Sequence, residues 1–144
     1  MPKIAEYDSD ILSWSKHQAE LLQRVANGEL VNEPPDWTNL IEEILFVEQS
    51  QAATVESWLF HALVHLLKAE VWPLSDAMLQ WQAQARGFRA QARRRYRASM
   101  EQRIDLPELY ADALTALPNT MDGVPPLPVP PECPVTLDEL LATG

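Results

Sequence analysis

The histidines at positions 61 and 65 have the spacing of a helical metal site. Residues four apart project from one face of a helix, and a histidine pair placed in this way is half of the ligand geometry of helical zinc sites. No glutamate follows His61, so the zinc-protease pattern is absent. A third ligand has to come from elsewhere, with His17 and Glu43 as the candidates. We favour the simpler interpretation, in which both histidines lie at the edge of the core beside Trp58 and bind no metal.

Two acidic residues upstream could complete a site with one of these histidines. On a straight helix, one polar stripe away from the apolar face contains Glu43, His61, His65 and Lys68. Glu43 and His65 are 22 residues apart, which corresponds to roughly 33 Å of straight helix. The candidate site, Glu42, Glu43, His65 and Lys68, therefore requires the helix to fold back. Such a site would belong to a metal-dependent enzyme that uses His65 with Glu43 or Glu42, and His61 as a further candidate ligand. Negative charge at the start of a helix is also favoured by the helix dipole alone.

Arginines are concentrated in one segment of the chain. Residues 77–104 contain 7 of the 11 basic residues and carry a net charge of +6, whereas the rest of the chain carries −16. Four of these arginines follow helical spacing and define one ridge: Arg86, Arg89, Arg93 and Arg97. Guanidinium groups suit phosphates and carboxylates, so the ridge is a candidate anion-binding site and, more weakly, a nucleic-acid-binding site. We favour neutralisation of the ridge from within the fold.

No motif of nucleophilic catalysis or phosphate binding is present. The chain has no Gly-x-Ser-x-Gly sequence, and its 4 glycines form no phosphate-cradling loop. The single cysteine, Cys133, excludes an intramolecular disulfide and a multi-cysteine metal site, and it fits a reducing compartment. We therefore expect no cofactor, and the balance of these observations leans against an enzyme.

The composition is that of an acidic single domain. The 144 residues carry a net charge of −10 and are 47% hydrophobic, which allows a core and argues against general binding of polyanions. The N-terminal residues lack the apolar run of a signal peptide. The longest mostly apolar stretch, residues 58–67, has ten residues, whereas a membrane span needs about 20. We expect a cytoplasmic protein with no membrane association.

Helices are expected to position all of these residues. Apolar periodicity predicts helices at about 8–27, 36–72, 76–103 and 105–117, and a short terminal helix at 136–142. No alternating strand pattern is present. The predicted architecture is an all-α bundle of four to five helices.

The second predicted helix is the core helix. Eight apolar residues share one of its faces: Ile41, Ile44, Leu45, Ala52, Val55, Leu59, Leu63 and Leu66. More than thirty residues is long for a helix of a small domain, and Glu48 falls on this apolar face. We therefore expect the helix to break near residue 49.

The C-terminal segment is rich in proline. Between residues 118 and 134, seven of 17 residues are proline, which precludes a helix and favours an extended conformation. Its Pro-x-x-Pro sequences lack flanking basic residues, so we interpret it as a strap laid across the bundle rather than a ligand for another domain. Thr136 and Glu139 form a capping box that begins the terminal helix.

Two blocks of sequence carry a resemblance to a known family. Leu40-Ile41-Glu42-Glu43-Ile44 and His65-Leu66-Leu67-Lys68, with the interval between them, resemble the bacterial family called domain of unknown function 29. The opening residues 7–14 and the ending residues 133–141 are also similar to that family. The resemblance covers nearly the whole chain.

The resemblance implies an all-helical bacterial protein without an assigned activity. It points to Glu42, Glu43, His65 and Lys68 as positions where members look alike, and His61 is not part of the pattern. The sequence departs from the family at Glu48, where members often have glycine, and at Ala69, where members have an aromatic residue. The departure at Glu48 bears on the predicted helix break.

Our leading functional hypothesis is a non-enzymatic helical protein-interaction module. Five tryptophans are more than a core of this size easily hides, and aromatic residues are favoured at interfaces. The module would bind a protein partner or self-associate through tryptophan and leucine side chains left on its surface. The alternatives are the metal-dependent enzyme and, more weakly, a nucleic-acid binder.

Overall fold

The computed structural model describes the backbone of residues 2–143 and the side chains of residues 6–143. Within this part of the chain the elements are all helical: α1 Pro2–Ser9, α2 Ile11–Ala26, α3 Trp37–Val71, α4 Met78–Arg95, a 3-10 helix Ala98–Arg103, α5 Leu106–Ala116 and α6 Leu137–Leu141. The described residues form no strand, and Met121 and Val124 form an isolated β-bridge. The predicted all-α class is confirmed.

The chain divides into two compact units, residues 1–48 and residues 49–144, where the sequence predicted one domain. The boundary falls inside α3, at the position of the predicted helix break. The helix nevertheless continues through residues 48–51, so that break is absent. Two physical reasons explain the continuity. Residues 48–51 contain no glycine or proline, and Glu48 is exposed, so its burial does not have to be avoided.

The first unit contains two helices where the sequence predicted one at 8–27. Asp10 separates them: its carboxylate accepts a hydrogen bond from the backbone N–H of Ser13 at 3.0 Å and begins α2. The predicted start at residue 8 is wrong for α2, because α1 already occupies residue 8. Along α2, Trp14 and Leu21 are buried, with only 2% and 4% of their surface exposed.

The second unit has a continuous apolar core. The C-terminal half of α3 contributes the largest share, and α4, the 3-10 helix with the following Ile104, α5 and α6 supply the rest. Its most buried members are Ala52, Val55, Leu59, Leu63, Ala92, Tyr110, Ala113 and Leu140. Four of these, from Ala52 to Leu63, belong to the apolar face that the sequence predicted for the core helix.

The helix predicted at 76–103 ends earlier than expected. α4 stops at Arg95, and Tyr96 and Arg97 adopt extended backbone conformations before the 3-10 helix begins. The interruption redirects the chain so that Met100 and Ile104 reach the core, where each is more than nine-tenths buried. Burial of these two side chains therefore outweighs continuation of the helical pattern.

The C-terminal elements begin as the sequence predicted. The Asp105 carboxylate accepts from the N–H of Glu108 at 3.1 Å and caps α5. Residues 118–134 contain no helix and run as the proline-rich strap, which Tyr110 fixes by donating its hydroxyl proton to the carbonyl of Pro130 at 2.7 Å. Thr136 and Glu139 form the predicted capping box of α6.

Candidate functional site

Glu43 takes part in a polar cluster in the first unit. The Tyr7 hydroxyl donates to Oε1 of Glu43 at 2.5 Å, and the Tyr7 ring lies edge-on against Trp14 with centroids 4.8 Å apart. The indole N–H of Trp14 in turn donates to the carboxylate of Asp36 at 3.1 Å. The hydrogen bond to Glu43 and its negative charge raise the pKa of Tyr7 to about 12, with desolvation as the second cause. Glu43 thus favours the neutral form of the Tyr7 side chain.

The other acidic candidates of the first unit have different surroundings. Glu42 is exposed beside Glu43. His17, which the sequence suggested as a third metal ligand, instead pairs with Glu33, with Nε2 and Oε2 at 3.0 Å. These groups therefore have protein partners or face solvent within the first unit.

In the second unit, the side chains of His61 and His65 both lie against one aromatic ring, that of Phe88. Phe88 of α4 stacks on Trp58 of α3 with centroids 5.8 Å apart, and the rings of His61 and His65 lie 5.5 Å and 5.0 Å from Phe88. Nδ1 of His65 donates to the carbonyl of His61 at 2.8 Å, so Nε2 carries the lone pair in the neutral ring. This arrangement matches the interpretation of boundary histidines beside Trp58.

The composite site of Glu42, Glu43, His65 and Lys68 is divided between the two units. The glutamates belong to the first unit, and His65 and Lys68 belong to the second. Lys68 lies in the last turn of α3, where a positive charge is favoured by the helix dipole. Among the side chains of residues 6–143, no group of three or more His, Cys, Asp or Glu residues is placed to hold a metal ion. The metal-dependent enzyme stays a prediction.

Only part of the predicted arginine ridge lies on one helix. Arg97 lies beyond the end of α4 and donates to the carbonyl of Tyr96 at 2.8 Å, because the helix stops at Arg95. Arg86 is exposed. Arg89 and Arg93, by contrast, donate to backbone carbonyls at the end of α6. We expected neutralisation of the ridge from within the fold, whereas the structure gives its two central arginines uncharged backbone acceptors.

One exposed apolar surface was missed because the sequence placed part of it in the core. Ile41, Ile44 and Leu45 were predicted to be buried on the core face of α3, but 57%, 68% and 56% of their surfaces are exposed. The prediction was wrong because periodicity identifies an apolar face without identifying what covers it. We define the α3 apolar surface as the exposed large apolar residues of the first half of α3: Trp37, Ile41, Ile44, Leu45, Phe46 and Val47.

One pattern in the sequence does indicate the α3 apolar surface. Residues 44–47 are four consecutive apolar residues, which cannot all lie on one face of a helix. A helix that is apolar on most sides must be buried against other structural elements on most sides.

A cavity was also missed by the sequence. The turn between α3 and α4 and the strap enclose about 340 Å³ in the second unit. Its lining includes Trp72 and Leu74 from the turn, and Met121 and Leu127 from the strap. No local motif could have indicated it, because its two walls are about fifty residues apart in the chain.

Comparison with known proteins gives a family but no annotated relative. The model of the family described as "Domain of unknown function DUF29" matches residues 6–144. No curated protein and no solved structure matches the chain.

Within residues 2–143, none of the helices combines the length and the apolar character that crossing a bilayer requires.

Proposed function

Because the chain belongs to the family of domain of unknown function DUF29, whose description assigns no activity, we propose its function from geometry. The protein is a non-enzymatic helical interaction module that self-associates through the α3 apolar surface. The observation that carries this proposal is the exposure of six large apolar side chains on three turns of one helix.

The size of the surface supports an interface. The exposed fractions of its six side chains range from 52% for Trp37 to 68% for Ile44. Trp37, Ile41, Ile44 and Leu45 share one face of the helix and expose on the order of 400 Å² of side-chain surface, which is within the range of the largest apolar patch of a typical monomer. A standard interface buries about 800 Å² per partner. A second copy packed on this face therefore buries about half of that area there, and contacts beyond the face supply the rest.

The arrangement along the helix supports pairing with another helix. Trp37, Ile41, Ile44 and Leu45 follow the spacing i, i+4, i+7 and i+8, which forms one stripe. Side chains at these intervals interdigitate between packed helices. The same stripe on a second copy, related by a two-fold axis, makes a self-complementary interface.

The charges beside the stripe determine how this association responds to salt. Glu42 is exposed on the same turn as Ile41, Ile44 and Leu45 of the α3 apolar surface. Bringing two copies together at this surface brings like charges together, and salt screens their repulsion. Self-association through this surface should therefore strengthen as the salt concentration rises.

Light scattering after size-exclusion chromatography tests the proposal. The wild-type protein is expected to form dimers at micromolar concentrations and to dimerise more tightly in 500 mM than in 50 mM NaCl. Ile44→Glu introduces a charge at the centre of the stripe and should weaken dimerisation at least about tenfold. Leu79→Glu is the matched control, because Leu79 is 72% exposed on α4 and lies outside the surface.

Three results would overturn the proposed function. The first is a wild-type protein that stays monomeric across the micromolar range. The second is equal loss of dimer in the Ile44→Glu and Leu79→Glu variants. The third is weaker dimerisation at high salt, which would indicate that contacts between opposite charges hold the copies together.

Nucleic acid is not included in this proposal. The two central arginines of the predicted ridge are already engaged with the end of α6, and the chain as a whole carries a charge of −10. We place the module in the bacterial cytoplasm, since a chain with a single cysteine, Cys133, fits a reducing compartment.

A further inference from the structure

The cavity between the α3–α4 turn and the strap has the features of a small-molecule site. Its volume of about 340 Å³ lies at the lower end of the range of about 300–1,000 Å³ found for ligand sites. One wall is formed by residues 71–76 and the other by residues 121–127. Both walls belong to the second unit, so the cavity is separate from the α3 apolar surface.

Hydrogen bonds fix the two walls relative to each other. The indole N–H of Trp72 donates to the carbonyl of Val124 at 2.9 Å, and the N–H of Leu127 donates to the carbonyl of Val71 at 3.1 Å. Met121 and Val124 exchange two backbone hydrogen bonds of 2.9 Å and close a tight turn. The cavity is therefore formed before any ligand arrives, which lowers the entropic cost of binding.

The turn at the rim has a geometry that few residues adopt. Asp122 and Gly123 both have positive φ angles, of 53° and 78°. Glycine and aspartate tolerate this conformation better than most residues do. The turn directs the chain back along the strap and sets Asp122 at the edge of the cavity.

The lining combines apolar side chains with charge of one sign. Trp72 is buried, whereas Leu74, Val124 and Leu127 expose 97%, 54% and 51% of their surfaces. The charged residues of the lining are Asp76 and Asp122, and it contains no Lys or Arg. An apolar cavity with carboxylates at its rim complements a ligand that has an apolar body and a positively charged head.

We propose that this cavity binds a small organic cation, namely an alkyl- or aryl-substituted ammonium ion. The apolar part of the ligand contacts Trp72, Leu74 and Leu127, and the ammonium group faces Asp76 and Asp122. The proposal is independent of self-association, because it uses no residue of the α3 apolar surface.

NMR titration of the ¹⁵N-labelled full chain tests the proposal, with hexylammonium chloride as the probe at pH 7. Saturable shifts are expected for the Trp72 indole and Gly123 amide signals. 1-Hexanol has the same apolar chain without the charge, and it should bind at least about fivefold more weakly, since two nearby carboxylates favour the cation. Sodium hexanoate, with the opposite charge, should bind more weakly still.

Variants separate the charge from the apolar contact. In Asp76→Asn/Asp122→Asn, hexylammonium and hexanol should bind within about twofold of each other, because the rim no longer favours a cation. Asp112→Asn is the control for net charge, since Asp112 is exposed on α5, and it should keep the preference. Leu74→Ser should weaken both probes by a similar factor.

Four outcomes would overturn the proposal. For the wild-type protein, they are the absence of saturable shifts at Trp72 and Gly123, and equal affinity for hexylammonium and hexanol. For the double asparagine variant, the contradicting outcome is a preference for the cation that persists. For Asp112→Asn, it is loss of that preference. All aspartates changed here are exposed, so the variants are expected to fold. Unchanged signals from residues outside the cavity check this.

Discussion

Arg89 of α4 holds the carboxyl end of α6 through Leu140. Its Nε donates to the Leu140 carbonyl at 2.8 Å, and its Nη2 donates to the carbonyls of Ala142 at 2.7 Å and Glu139 at 3.3 Å. The last carbonyls of a helix have no partner within the helix, and a positive charge there is favoured by the helix dipole. A helix of five residues is not stable alone. Arg89 therefore helps to keep Leu140 in the core.

Arg89→Gln should destabilise the protein. The variant loses charge-assisted hydrogen bonds to the end of α6 and loosens the burial of Leu140, which is 2% exposed. We expect the free energy of unfolding to fall by about 2 kcal/mol in urea denaturation followed by circular dichroism. Arg86→Gln, at an exposed position of the same helix, should change it by less than about 0.5 kcal/mol. Equal effects of the two changes would contradict this role of Arg89.

Tyr110→Phe should loosen the strap. The Tyr110 side chain is buried, and its hydroxyl donates to the Pro130 carbonyl at 2.7 Å. Removing the donor leaves that carbonyl without this partner and should cost about 1 kcal/mol. Limited proteolysis should then cut residues 118–134 faster than in the wild-type protein. Tyr96→Phe is the control, since it removes the same hydroxyl group from another tyrosine that packs against this core. A strap that is cut at the wild-type rate would show that this bond does not hold it.

Glu43→Gln should lower the pKa of Tyr7 from about 12 towards 10, because it removes the negative charge that the phenol proton faces. The raised pKa means that the folded protein prefers the neutral phenol. The stability that this contact contributes is therefore complete below pH 10 and is lost as the pH rises through about 12. Tyrosinate absorbance during an alkaline titration measures the shift, with Tyr7→Phe identifying the signal.

Glu42→Gln provides a graded control for this titration. Glu42 raises the pKa of Tyr7 only through its charge, and less than Glu43 does. The Glu42→Gln substitution should therefore lower the pKa of Tyr7 by a smaller amount than Glu43→Gln does. A larger effect from Glu42 would mean that the hydrogen bond between Tyr7 and Glu43 is not the main cause.

Glu56→Gln should stabilise the protein at neutral pH. Desolvation raises the pKa of Glu56, and the nearby charges of Glu108 and Asp105 add to this effect. A carboxyl whose pKa is raised by folding destabilises the folded state when it is ionised, so stability should increase as the pH falls through the raised pKa. The gain at pH 7 is expected to be only about 0.5 kcal/mol, because solvent screens a partly exposed group. Urea denaturation at pH 7 and pH 4 should show a gain at pH 7 that largely disappears at pH 4.

Features determined by neighbouring residues could be predicted from the sequence. Thr136 caps α6 because its short polar side chain reaches the backbone N–H three residues later. The buried run from Ala52 to Leu63 follows helical periodicity. These predictions were correct because the physical cause and its effect lie within one or two turns of the chain.

Features that depend on distant residues could not be predicted in this way. α4 ends at Arg95 because Met100 and Ile104 fit into a core built by other helices. Arg89 contacts carbonyls about fifty residues away, and counting charged residues cannot identify neutral acceptors. The exposure of Ile44 depends on the absence of cover within the folded chain, which periodicity does not describe.

The position of Leu140 has a consequence for biosynthesis. The core of the second unit includes this residue, although most of that core comes from residues 52–113. During translation, the unit cannot close until the ribosome has released the segment that contains α6. A premature stop codon anywhere in the strap would leave an apolar groove where Leu140 belongs, and such a product would be a substrate for chaperones and proteases.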